Sequence, residues 1–83
     1  MRFPESADHD ALLRLRRVEG QIRGIQRLIE EGAECKDIVT QLAAAKGAID
    51  RVGFKLLAAG MKECIIDGSV DTDELERLFL KLA

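Results

Sequence analysis

The stretch from Cys35 to Cys64 limits most severely what this chain can become. Between the two cysteines, apolar residues recur at Ile38, Leu42, Ala45, Ile49, Val52 and Leu56, in steps of four and three. That spacing marks one continuous face of a helix, not the alternation of a strand. If the whole stretch is helical, its ends lie about 43 Å apart, at about 1.5 Å per residue. A disulfide needs Cα atoms within about 7 Å. The two cysteines of one chain therefore cannot meet along this helix. Two copies packed antiparallel would bring Cys35 of one beside Cys64 of the other.

The chain has 83 residues, enough for one small domain. It has no Trp or Tyr, three Phe and one Pro, yet 47% of it is apolar, which favours helices packed through Leu, Ile, Val and Ala over a β-sandwich. A long helix with short partners cannot cover its own apolar face. Chains of this size commonly need a staple or oligomerisation. The N-terminal MRFPESADHD lacks the apolar centre of a signal peptide, and no later stretch has the ~18 uninterrupted apolar residues of a membrane span. The expectation is a cytoplasmic protein with no membrane partner. In a reducing compartment two cysteines serve as free thiols, metal ligands or redox sensors more often than as a structural bridge. They can also be buried bystanders, since free cysteine behaves as a small hydrophobe.

Three helices are expected, over residues 7–31, 34–66 and 71–82, in one domain spanning residues 1–83. Residues 1–6 read as a tail, with Ser6, Asp8 and Asp10 as candidate N-caps. Leu15, Val18, Ile22, Ile25 and Ile29 mark the buried face of the first helix. Gly32 is its stop signal. The short link that follows makes the first two helices antiparallel neighbours. Gly47, Gly53 and Gly60 each weaken the second helix, but the apolar steps pass through Gly47 and Gly53 without a change of phase, so one unbroken helix is predicted. Those glycines offer room for another helix to approach. Asp67-Gly68-Ser69 reads as a turn. Asp71 or Thr72 caps a third helix carrying Leu75, Leu78, Phe79 and Leu82 on one side.

The formal charge is only −2, but it is unevenly distributed. Between Arg14 and Arg27 five arginines (Arg14, Arg16, Arg17, Arg23, Arg27) face a single acid, Glu19. From Asp67 onward five acids outweigh Arg77 and Lys81. An acidic average thus hides a basic helix. Arg14, Arg17 and Gln21 share one face of it, at i, i+3 and i+7. Lys46 and Arg51, on the polar side of the second helix, extend the candidate patch. Arginine grips phosphate oxygens bidentately, which makes nucleic acid the candidate partner. The plain alternative is a solvated helix face with local ion pairs. No helix-turn-helix pattern is evident, and the acidic third helix is a poor recognition helix.

The run RLRRVEGQIRGIQRLIEEGAECKDIVTQLAAAKGAIDRV resembles the core of the copper-sensing repressor family, which also holds nickel/cobalt, formaldehyde and persulfide sensors. The similarity extends over residues 12–66. It implies a three-helix protomer, an antiparallel four-helix-bundle dimer and a dimer of dimers that binds operator DNA without a helix-turn-helix. It also implies that Cys35 and Cys64 of different protomers face one another, and that the protein is not an enzyme. Copper sensors of that family carry a histidine four residues before the second cysteine. Here that position is Gly60. Met61 is displaced by about 100° around the helix and is no simple replacement. The only histidine, His9, lies near the N-terminus, where the nickel and formaldehyde sensors use one, although those proteins also keep a histidine near position 60.

A cysteine pair without that histidine resembles the persulfide-sensing branch, as does CKDIVTQLAAAK with Lys46 at its end. No resident metal or cofactor is expected on that reading. Cys35, in the first turn of the second helix, stands where the helix dipole and free N–H groups stabilise a thiolate, aided by Lys36 and opposed by Glu34 and Asp37. It is the expected nucleophile toward persulfide or polysulfide, with Cys64 of the neighbouring protomer resolving it. The rival within the family is a Cu(I)-responsive repressor using two thiolates, since Cu(I) prefers soft sulfur. A thiol enzyme, a sulfurtransferase or oxidoreductase, has little support: there is no C-x-x-C motif and no neighbouring histidine. A helical interaction protein with inert cysteines is the remaining alternative.

Overall fold

In a computed structural model the chain forms α1 (Glu5–Glu30), α2 (Cys35–Asp67) and α3 (Thr72–Leu82). The structure describes residues 2–68 and 71–83, with Cys64 described by its backbone alone. The described residues are all helical or in short links, as expected. Ser69, read as part of a turn, lies outside them.

The first helix starts earlier than residue 7. Pro4, with φ −62°, is its N-cap, and the Pro4 carbonyl accepts from Ala7 and Asp8 N–H. Proline suits a helix start because its fixed φ is already close to helical and it has no N–H to satisfy. Ser6, Asp8 and Asp10 consequently lie inside α1 and none of them caps it. Asp8 still suits the positive end of the helix dipole from the first turn. At the other end, Ala33 N–H donates to Leu28 O (2.9 Å) and Gly32 N–H to Ile29 O (3.1 Å). This Schellman closure needs a left-handed residue, and Gly32 supplies it with φ 71°. The link from residue 31 to 34 then folds α2 back along α1.

α2 is unbroken over 33 residues, about 50 Å at 1.5 Å per residue. Its glycines do not interrupt it. Gly53 is where α3 docks: a Cβ there would collide with the terminal carbons of Leu82. The Phe54 and Phe79 rings also pack, centroids 5.6 Å apart and planes tilted by 54°. Asp71 caps α3, its side chain accepting from Glu74 N–H at 3.0 Å. α3 touches α2 and, among the described residues, not α1.

The protomer measures 53 × 23 × 12 Å. Twelve ångströms is the thickness of one helix, so the three helices lie in a single layer. One layer buries only a thin seam: Ala11, Val18 and Ile25 from α1 against Ala45 and Val52 from α2. Of the other apolar positions of the predicted α1 and α2 stripes, Ile38 and Leu56 are half-buried and the rest remain open. Ile22 is 44% exposed, Leu42 50% and Ile49 43%, while Leu15 and Ile29 are also exposed. Ile22, Leu42 and Ile49 line a shallow apolar trough of about 480 Å³ on one flank of the hairpin.

Candidate functional site

Cys35 is the first residue of α2, exposed and with a free thiol. Glu34 caps it in extended conformation without a side-chain hydrogen bond, and the Glu34 carbonyl accepts from Asp37 and Ile38 N–H. The amides of Cys35 and Lys36 precede the first of these bonds and stay open to an anion beside the sulfur. Cys64 lies in the last turns of the same helix; its side chain is outside the described residues. The continuity of α2 keeps the two cysteines at opposite ends of the protomer. Gly60, one turn before Cys64, is buried and offers no ligand atom. His9 is exposed near the start of α1. Because α1 and α2 run antiparallel, that start lies beside residues 52–59 of α2, at the Cys64 end of the hairpin.

The cationic residues divide between two flanks. Arg14, Arg17 and Gln21 lie on one side of the α1 seam, with Arg17 exposed. A cleft of about 280 Å³ brings Arg14 together with Lys55 of α2. Arg51, four residues before Lys55, shares its flank. Arg17 and Arg51 form no ion pair among the described residues. Lys46 is about 140° around α2 from Arg51, at about 100° per residue. It lines the apolar trough and reaches Asp50 Oδ2 at 3.4 Å. Within one protomer it is thus separated from the arginines with which the sequence grouped it.

Sequence reasoning missed two residues here. Asp10, expected as a cap, accepts from Arg14 Nε at 2.9 Å, and the same oxygen lies 4.0 Å from Lys55 Nζ. The hydrogen bond from Arg14 holds the Asp10 carboxyl below the ordinary carboxylate range; desolvation opposes this, and the charges of Arg14, Lys55 and Arg17 reinforce it. The i, i+4 spacing of Asp10 and Arg14 was a legible signal. Lys55 could be placed only once α1 and α2 were paired.

The sequence is similar to known transcriptional repressors. The copper-sensing transcriptional repressor RicR of Mycobacterium tuberculosis is 48% identical over 52 residues, 63% of this chain and 54% of that protein. The copper-sensing transcriptional repressor CsoR of Bacillus subtilis is 41% identical over 54 residues, 65% of this chain and 54% of that protein. The chain thus spans about half the length of these relatives in the match. Among its described residues no helix is long and apolar enough to cross a membrane. The family profile of the metal-sensitive transcriptional repressors matches residues 7–81, and the chain belongs to that family.

Proposed function

We propose that the protein represses transcription by binding operator DNA as an assembly of this chain. It is released when a thiophilic inducer is captured between Cys35 of one protomer and Cys64 of its neighbour. The observation that carries this reading is the unbroken α2, which separates the backbones of Cys35 and Cys64 within a protomer by about 43 Å. A site built from both must be shared between chains. The single-layer protomer supports the same assembly, an antiparallel four-helix bundle of two hairpins, with two such dimers forming a tetramer. Arg14, Arg17, Gln21 and Arg51 are the phosphate-facing residues on one flank. Lys46 joins them only from a neighbouring protomer or at the edge of the assembly.

Two inducers suit a pair of thiolates. Similarity to two copper-sensing repressors supports Cu(I), which soft sulfur ligands select. By sequence relationship Cu(I) stands first. A second reading, reactive sulfur, is favoured by Gly60: this chemistry needs no third ligand. The Cys35 thiolate would attack a polysulfide sulfur and expel a shorter polysulfide anion, leaving a persulfide. The Cys64 thiol of the neighbour would then attack the inner sulfur and release hydrogen sulfide, closing a disulfide.

A mobility shift on the DNA upstream of the gene, run with Cu(I) or polysulfide and followed by intact-mass measurement, separates these outcomes. Release by Cu(I) without covalent change supports copper. Release by polysulfide with a crosslinked dimer supports sulfur. In Cys35→Ala, DNA binding should persist and release should fail. Normal release in that variant removes the thiol pair from the sensing role. Absence of DNA binding at every salt concentration defeats the repressor reading itself.

A further inference from the structure

Of the Asp10, Arg14 and Lys55 cluster, the function above uses Arg14 alone. Asp10 and Arg14 belong to α1 and Lys55 to α2, so one carboxylate oxygen joins the two helices. All three side chains are open to solvent: Arg14 is 30% exposed, Asp10 50% and Lys55 52%. They sit on the same flank as Arg17 and Arg51. We propose that Asp10 stands in for an operator phosphate on Arg14 and Lys55, and that DNA binding exchanges this carboxylate for a phosphate oxygen. The inference rests on Arg14 as a DNA-facing residue.

The chemistry of the exchange is conservative. A carboxylate and a phosphodiester present similar anionic oxygens, and guanidinium accepts either. In the free protein Asp10 reduces the cluster's charge from +2 to +1, and its ionised oxygen repels an approaching phosphate. The pair it makes is exposed, and exposed pairs are weak. Asp10 therefore lowers operator affinity and weakens its salt dependence without blocking binding. Lys55 becomes a further phosphate contact, adjoining Arg14 across the α1–α2 seam.

The test is operator binding by the full-length protein across a salt series, comparing wild type with Asp10→Asn, Lys55→Gln and Arg14→Ala. Thermal melts of each verify folding. Asp10→Asn should bind more tightly at low salt by roughly threefold to tenfold, the size of one or two exposed charge interactions. Its plot of log affinity against log salt should steepen by up to about one unit for each copy engaged with DNA. Lys55→Gln should weaken binding and flatten the plot by a similar amount. Arg14→Ala indistinguishable from wild type removes Arg14 from the interface and takes this proposal with it. If Arg14→Ala is impaired while Asp10→Asn binds no better than wild type, the stand-in role alone is overturned; weaker binding would mean that Asp10 orients Arg14 for DNA. Lys55→Gln equal to wild type in affinity and slope likewise overturns the exchange at two cations.

Discussion

Ile49→Ala tests whether the open flank of the hairpin is covered by a second copy. Removing three carbons from a wholly buried isoleucine forfeits about 2.4 kcal/mol, at about 0.8 kcal/mol for each. Ile49 is 43% exposed in the protomer, so about 1.4 kcal/mol belongs to the hairpin itself and about 1.0 kcal/mol to whatever covers the remainder. In a twofold dimer the residue occurs twice, so association should weaken by about 2 kcal/mol, a factor of roughly thirty. Sedimentation equilibrium measures that factor directly. Urea unfolding at several protein concentrations provides the companion readout, because the midpoint of an assembly rises with concentration. Leu42→Ala, on the same trough, should behave alike. The reasoning fails if wild type unfolds at one midpoint regardless of concentration. It fails equally if Ile49→Ala dissociates with the wild-type constant, for then the trough faces water or another partner.

Gly60→His restores a side chain one helical turn before Cys64, on the same face; Cu(I) affinity in a competition titration should rise, and an unchanged affinity would show that position 60 does not face the thiol site. At the α2–α3 contact, Gly53→Ala should add helix propensity of about 1 kcal/mol but displace Leu82, offsetting it by about 1–3 kcal/mol. In a Leu82→Ala background the same change should be stabilising, and a double-mutant cycle with no coupling would refute the contact. Asp10 supplies a pH test. Its folded-state carboxyl is held low by Arg14, so its contribution is present above the unfolded-state value of about 3.9 and is lost as pH falls through the lower folded-state value. Asp10→Asn should therefore lose less stability than wild type between pH 5 and strongly acidic conditions, read as melting temperature; parallel curves would contradict the assignment.

The backbone was legible because its signals are local. Heptad-like steps carried α2 through Gly47 and Gly53, since a glycine weakens a helix by only about 1 kcal/mol without changing its phase. Gly32 ended α1 for a conformational reason, its positive φ. α1 starts two residues before the expected position because Pro4 begins a helix without a side-chain hydrogen bond, leaving Ser6, Asp8 and Asp10 inside it. Burial was less legible. Val18 and Ile22 look equivalent in the sequence, yet one is 4% exposed and the other 44%. Periodicity reports that a residue will be covered, not by which chain. The same limit hid Lys55, whose partner is far away in sequence.

The protomer's division into two flanks connects its two proposed activities. One flank carries Arg14, Arg17, Arg51 and Lys55; the other carries the apolar trough of Ile22, Leu42 and Ile49. Both are attached to α2, whose ends hold the cysteines. A bond or metal bridge between Cys35 and a neighbour's Cys64 would fix two antiparallel α2 helices at both ends of the trough. Any change in their crossing must also move Arg51 and Lys55, since a helix transmits displacement along its length. Allosteric coupling needs only about 1–3 kcal/mol, comparable with the loss expected from one alanine substitution in the trough. Conservative changes at Leu42 or Ile49 are therefore expected to alter inducer response before they abolish DNA binding.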